Sequence, residues 1–243
     1  MQTSAELLNQ FKNFEMDPAA AYYLRFHLRR YQALLNEVAR VLPEYGKSPM
    51  ILDVGLSFQT ICLGNCFPHA SIRTAGFFDG RFDNYLVGEH HTEFDLNDAR
   101  FPERIPERTA EHDVVIMAEV IEHLYSPAKQ VLECIKRWMK PSGTLILQTP
   151  NPVSLGKRAA LLRGVNPFEM IREARTNPGH FCEFTVPEIC NAVESAGLRV
   201  TSINTQNYFG RRSRIYDTLC AILPGSLHDG ITLCAKKPAE PGT

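Results

Sequence analysis

The sequence predicts an α/β protein: seven mostly parallel strands in one sheet, with helices on both faces. Three observations carry that expectation. From residue 50 onward, short apolar runs alternate with helical segments, the pattern of repeated strand–helix–strand units. Ahead of that alternation stands one long amphipathic helix with a start signal and a stop signal. The chain has 243 residues, of which 44% are hydrophobic and 22% charged, enough apolar material for one domain with a sizeable core.

The long helix is read over residues 17 to about 43. Asp17 suits an N-cap, Pro18 the first helical position, and Pro43 the stop. Leu24, Leu28, Tyr31, Leu35, Val38 and Leu42 recur every three or four residues as one buried stripe, and Arg25, Arg29, Arg30 and Arg40 read as solvated surface. The first strand is MILDVG (50–55), followed by a helix in TICLGNCF. SIRTAGF (71–77) is the second strand, HTEF (91–94) the third and VVIMA (114–118) the fourth. Ser126 and Pro127 open a helix carrying Val131, Leu132, Ile135, Trp138 and Met139, and the turn KPSG (140–143) leads into the fifth strand, TLILQT. The alternation then breaks over 151–184, a stretch rich in Asn, Pro, Gly and Arg that reads as a lid or binding loop. Thr185 opens a capped helix that Gly197 closes. LRVTSINTQ (198–206) and GITLCAKK (230–237) complete the strands, with an Arg-rich helix at 211–222 between them. The expected division is a helical cap, 1–46, on a domain spanning 47–243 that contains the 151–184 insertion.

Composition narrows the function classes. Lys and Arg total 26 against 27 Asp and Glu, so there is no global attraction to nucleic acid or to an anionic bilayer. No apolar stretch approaches the roughly 20 residues needed to span a membrane. The seven cysteines form no CxxC pair, and Cys62 and Cys66 read as small buried residues, so a reduced, cytoplasmic protein is expected.

Ligands of open α/β sheets bind beyond the carboxyl ends of the strands. Those ends hold Asp53, Gly55 and Ser57; Asp95 and Leu96; Glu119, Glu122 and His123; and Thr149 with Asn151. With HDVVIMAEVIEHL (112–124), SGTLILQTPNP (142–152) and GHFCEFT (179–185) in this order, residues 45 to 237 resemble the class I S-adenosylmethionine-dependent methyltransferases. The branch most similar is that of ubiquinone-type O-methyltransferases. The resemblance implies a Rossmann-like sheet in the order 3-2-1-4-5-7-6 and S-adenosylmethionine as methyl donor. It also implies a cofactor site of Asp53, Gly55, Ser57, Asp79, Asp95, Leu96 and Glu119, in which Asp95 accepts from the adenine amine. Two motifs depart from the family. Ser57 and Gln59 occupy positions where glycines let the backbone approach the cofactor, and the acid after strand two, Asp79, is displaced by one place behind Phe78.

The acceptor side is read from histidines and charge. A hydroxyl acceptor must lose its proton, which suits an imidazole, so His123 and His180 are candidate bases, with Glu119 beside them. Glu119, Glu122 and His123, at i, i+3 and i+4, are a candidate divalent-metal site, as in some of the resembled enzymes. Lys157, Arg158, Arg163, Arg172 and Arg175 in the insertion, with Arg211, Arg212 and Arg214, raise the case of an anionic acceptor, such as a sugar nucleotide or acidic glycan. The expected reaction is methyl transfer to an oxygen of a small molecule or saccharide. Two rivals stand beside it: an inactive binding protein on the same fold, supported by the altered glycine motif, and a nicotinamide-dependent oxidoreductase, disfavoured because no G-x-G-x-x-G follows strand one.

Overall fold

The computed structural model describes residues 3–77, 91–107, 110–175, 177–209, 218 and 222–239. Asp79 and the Arg211–Arg212–Arg214 group lie outside the described residues, as does nearly all of the helix expected at 211–222.

A short helix, α1 (Ser4–Asn9), precedes the long one, α2 (Pro18–Val41). The α2 start is as expected: the Asp17 carboxylate accepts the Ala20 N–H at 2.8 Å, with Pro18 in the first turn. Alternating segments follow as β1 (Met50–Val54), α3 (Phe58–Cys66), β2 (Ser71–Gly76), β3 (His91–Glu93), β4 (His112–Ala118), α4 (Ala128–Trp138), β5 (Met139–Pro150), α5 (Leu155–Leu162), α6 (Val186–Ser195), β6 (Arg199–Gln206) and β7 (Gly230–Lys236). The seven strands form one sheet in the order β3-β2-β1-β4-β5-β7-β6. Pairings from β3 through β5 are parallel, and β7 runs antiparallel between β5 and β6.

Strand periodicity splits the core into two layers. Leu52, Val54, Val115, Met117, Leu145 and Leu147 face α4 and α6, while Ile51, Val114, Ile116 and Ile146 face α2 and α3. Because both faces are covered, the central strands read as nearly continuous apolar runs. The carboxyl ends of β1 to β4 therefore emerge together at one rim, which is where the site lies.

Three local expectations are corrected. Ser126 does not cap α4: its hydroxyl donates to the Asn97 carbonyl at 2.6 Å, and Pro127 takes the cap position. The expected turn at 140–143 is a bulge inside β5, where the register with β4 jumps from His112↔Met139 to Val114↔Thr144. Arg30 is not solvated surface. It is 2% exposed, beneath the rim of the sheet.

Candidate functional site

A cavity of about 1110 Å³ opens at the carboxyl ends of β1 to β4, roofed by α2 and by the insertion after β5. It is just above the size usual for a single small ligand, large enough for a cofactor and a second molecule.

The β1 end turns at Gly55, whose φ of +91° belongs to the left-handed region that glycine tolerates. Ser57 caps α3, accepting the Gln59 N–H, and lines the cavity with Gly55, Leu56 and Phe58. Asp53 does not reach the cavity wall. It is fully buried beneath the first turn of α3, accepting from Gln59 Nε2 and Thr60 Oγ1 at 2.7 Å each. Burial pushes its carboxyl up to about 7, against those two bonds and the nearby Arg30 charge. Its role is to fix the strand-to-helix turn. Gln59 likewise turns inward, its amide oxygen accepting from Arg30 Nη1 at 3.0 Å, so its bulk does not fill the space a glycine would leave.

On the other side, Gly76, Phe77, Phe94, Asp95, Leu96 and Asn97 line the wall at the β2 and β3 ends. Asp95 uses Oδ1 to cap the 3-10 turn Leu96–Arg100 through the Asn97 N–H at 2.9 Å, and it faces the cavity from the β3 end. Asn97 was not expected as a site residue. Its side-chain oxygen accepts from the Tyr125 and Ser126 N–H groups at 2.9 and 3.1 Å, joining the β3 and β4 loops.

After β4, Glu119 adopts φ +56°, an unfavourable conformation for a side chain-bearing residue, and its Oε1 is buried with no hydrogen-bond partner. Burial raises its carboxyl pKa, opposed by the Arg30 charge. Glu122 is fully buried, its Oε2 accepting from Thr149 Oγ1 at 3.1 Å while Oε1 has no partner. Burial, then repulsion from Glu119, drives its pKa well above the ordinary carboxylate range. His123 Nδ1 donates to the Gly179 carbonyl at 2.9 Å, which leaves Nε2 as the basic nitrogen, and burial lowers its pKa so that the ring is neutral. Of the β5 end only Pro150 lines the cavity: Asn151 is turned away, donating to the Ser226 and His228 carbonyls.

The insertion is tied to the rim by backbone and charge. The N–H groups of Phe181 and Cys182 donate to the Glu122 carbonyl at 2.8 and 3.3 Å. His180 holds Glu183 through Nδ1 at 2.8 Å and Glu169 through Nε2 at 3.0 Å, and Lys157 pairs with Glu183. Burial would raise the Glu183 pKa, but the bonds from His180 and Lys157 outweigh it, and the pKa is lowered. The His123 and His180 rings meet edge to face, with centroids 4.8 Å apart. Of the expected metal trio, the structure gathers Glu122 and His123 with His180 in place of Glu119: one ligand atom of each lies within 4.8 Å of the others. The insertion's cations are mostly committed elsewhere. Arg158 and Arg163 bond local carbonyls and Arg172 bonds Glu169 and Asn177; Lys157, paired with Glu183, and Arg175, 3.7 Å from Glu93, are at the cavity wall.

The sheet order and a rim cavity beside a glycine turn are those of a class I methyltransferase fold. A methyltransferase-domain family model matches residues 26–203, and the chain belongs to that family. S-adenosylmethionine is the methyl donor of this class. A protein of Mycolicibacterium smegmatis named "Probable S-adenosylmethionine-dependent methyltransferase" is 32% identical over 96 residues, covering 40% of this chain and 32% of that protein. The match thus spans about a third of the curated relative's length. Among solved structures, an S-adenosylmethionine-dependent methyltransferase from Archaeoglobus fulgidus superposes with a TM-score of 0.58 at 17% identity, covering 91% of this chain and 100% of that one. The [4+2]-cyclase SpnF superposes with a TM-score of 0.56 at 13% identity, covering 88% and 82%. At these identities the likeness shows the fold alone, and SpnF shows that this fold carries other chemistry as well.

The residues present fit the donor. Gly55 permits close backbone approach, and Asp95 offers an acceptor at the β3 end. Glu119 presents an unpaired carboxylate oxygen, and Gln59 withdraws from the space a glycine would leave. When bound, the sulfonium would supply an electrophilic methyl group. Among the described residues, no helix is long and apolar enough to cross a membrane.

Proposed function

We propose that the chain transfers the methyl group of S-adenosylmethionine to an oxygen of a neutral small molecule or saccharide. The observation that carries this reading is one continuous cavity with a cofactor-suited wall, Gly55 to Asp95, and a histidine–carboxylate wall, His123 to Glu183. Methyl transfer is an in-line displacement, for which alignment matters most. His123 is the acceptor's base: its Nδ1 is fixed by Gly179, its neutral ring leaves Nε2 to take the hydroxyl proton, and it lies beside the docked insertion. His180, bonded at both nitrogens to carboxylates, holds the insertion in place and supports His123. Residues 1–46 serve as a cap on the domain 47–243, and 151–184 serve as the lid. Asp17, Asp95, Glu119, Glu169, Glu183 and Asp229 line the cavity against Arg30, Lys157 and Arg175, a balance that favours a neutral acceptor over an anionic one. Against the inactive-protein rival stands the inward turn of Gln59, while Ser57, at the other altered position, lines the cavity.

The test is incubation with methyl-labelled S-adenosylmethionine and a panel of phenols, diols, saccharides and anionic glycans, with products identified by NMR. Label on oxygen of a neutral acceptor is expected; label only on nitrogen, or only on anionic acceptors, would refute the reading.

A divalent cation is a second reading: one ligand atom each of Glu122, His123 and His180 lies within 4.8 Å of the others, and a cation can replace the proton on a buried carboxyl with raised pKa, but His180 must then release one of its two carboxylate bonds. Those three residues would hold it, with His123 Nε2 acting as a ligand in place of the base, and it would acidify an acceptor hydroxyl. Activity should fall in chelator and return with Mg²⁺ or Zn²⁺, and Glu122→Gln should lose that response. Full activity in chelator would remove the metal and leave Glu122 as a buried neutral acid.

A further inference from the structure

We propose that Arg30 binds the α-carboxylate of the cofactor's amino-acid tail, and that Gln59 positions it by fixing its guanidinium at the cavity wall. The proposal rests on the cofactor reading above and adds a contact from outside the strand-end motifs.

Arg30 lies in the middle of α2, on the face that also buries His27, Leu34 and Val38. It is 2% exposed, and that remaining surface is cavity wall. Its Nη1 donates to Gln59 Oε1 at 3.0 Å, its Nε to His27 Nδ1 at 3.3 Å, and its guanidinium lies 4.6 Å from the Tyr31 ring centre. These partners carry no negative charge. The His27 ring is neutral, its pKa pulled down to about 3 by burial and then by Arg30 itself. Among the described residues, no carboxylate forms an ion pair with Arg30. Burial opposes the Arg30 charge, and Glu119 and Glu122 support it from beyond ion-pair distance, so a contact anion is the partner that a ligand could add.

At the neighbouring strand end the complementary want is present, since Glu119 Oε1 is buried without a donor. One ligand group answers both, an α-amino acid, with its carboxylate toward Arg30 and its ammonium toward Glu119. The sheet sets the span. In the order β3-β2-β1-β4, three strand spacings separate Asp95 at the β3 end from Glu119 at the β4 end. At about 4.8 Å per strand that is about 14 Å, the reach of an adenosyl group joined to an amino-acid chain.

Gln59 explains why this chain departs from glycine in the first motif. Its amide donates to Asp53 Oδ1 at 2.7 Å and accepts from Arg30 at 3.0 Å, linking the β1 floor to the α2 guanidinium. A glycine there would leave Arg30 without that anchor. A planar guanidinium held at one edge presents its remaining N–H groups in a fork suited to a carboxylate.

The test is calorimetric binding of three probes: S-adenosylmethionine, its decarboxylated analogue, and 5′-methylthioadenosine, which lacks the tail. The proteins are the wild-type chain, Arg30→Lys, Arg30→Gln and Gln59→Met. The wild type should prefer S-adenosylmethionine over the decarboxylated analogue by roughly 10- to 100-fold, the worth of a charge-assisted pair. Arg30→Gln should reduce that preference to about threefold or less while 5′-methylthioadenosine binds as before, and Arg30→Lys should recover part of it. Gln59→Met should lower the preference severalfold, again without changing 5′-methylthioadenosine binding. Equal wild-type affinity for the two tailed probes, or an undiminished preference in Arg30→Gln, would overturn the proposal. Should Arg30→Gln fail to fold, the wild-type ratio and Gln59→Met decide it. Loss of all three probes by the wild type would instead remove the cofactor reading, and this proposal with it.

Discussion

Valine in place of Gly55 is expected to abolish S-adenosylmethionine binding and to lower the melting temperature. Two effects act at this position. The backbone there has φ +91°, and a side chain in the left-handed region costs about 1–2 kcal/mol. An added Cβ would also sit 3.3 Å from Val120 Cγ2, already tight, and valine adds two methyl groups beyond it. Relief requires the turn between β1 and α3 to move, which shifts the Ser57 cap and the cavity wall it forms. The stability loss corresponds to a fall of roughly 2–8 °C for a chain of this size. The binding loss is larger in consequence, because cofactor approach depends on that backbone. Differential scanning fluorimetry with and without S-adenosylhomocysteine checks both. A folded Gly55→Val protein that is still stabilised normally by the ligand would place the cofactor elsewhere.

Replacing residues 155–180 by a short Gly-Ser linker should spare cofactor binding and eliminate transfer. The segment contributes His180, Glu169 and Lys157 to the cavity wall. As a lid it would exclude water and align the acceptor with the methyl group. Its attachments are few: α5 has no fully buried residue, and Leu161, Leu162, Val165, Met170 and Ile171 are more than half exposed. Docking therefore depends on the Glu122 carbonyl, on the His123–Gly179 bond and on the His180–Glu183–Lys157 group. Hydrogen exchange across 155–180 should slow when acceptor or product binds, and less with cofactor alone. Normal turnover by the shortened protein would reject the lid and favour α2 as the cap that matters.

The architecture was legible because its signals are local. Strand runs, the Asp17–Pro18 start, and the Thr185–Glu188 box, where the Glu188 carboxylate accepts from the Thr185 N–H at 2.8 Å, depend on neighbours within four residues. The cavity lining was legible where strand ends define it, at Gly55, Ser57, Asp95, Leu96, Glu119 and His123. What escaped depends on distant partners. Arg30 meets Gln59 across 29 residues, and Ser126 meets Asn97 across 29 as well. A signal for Arg30 was present nonetheless: His27, Arg30, Leu34, Val38 and Val41 follow helical spacing and are all buried. Reading arginine as surface by residue type set that periodicity aside. Asp53 was placed at the right strand end but on the wrong side of it, since its acceptor capacity is taken by α3. Glu119 does not join Glu122 and His123 because the chain after β4 forms a 3-10 turn only at Ile121–His123, with Glu119 in a left-handed conformation before it, so no single helical face carries all three.

Calorimetric titration of the full chain with S-adenosylmethionine, S-adenosylhomocysteine and NAD asks whether the rim cavity is a methyl-donor site. Saturable one-to-one binding of both adenosyl ligands is expected, with no measurable heat from NAD. Binding of NAD, with no binding of either adenosyl ligand, would contradict it.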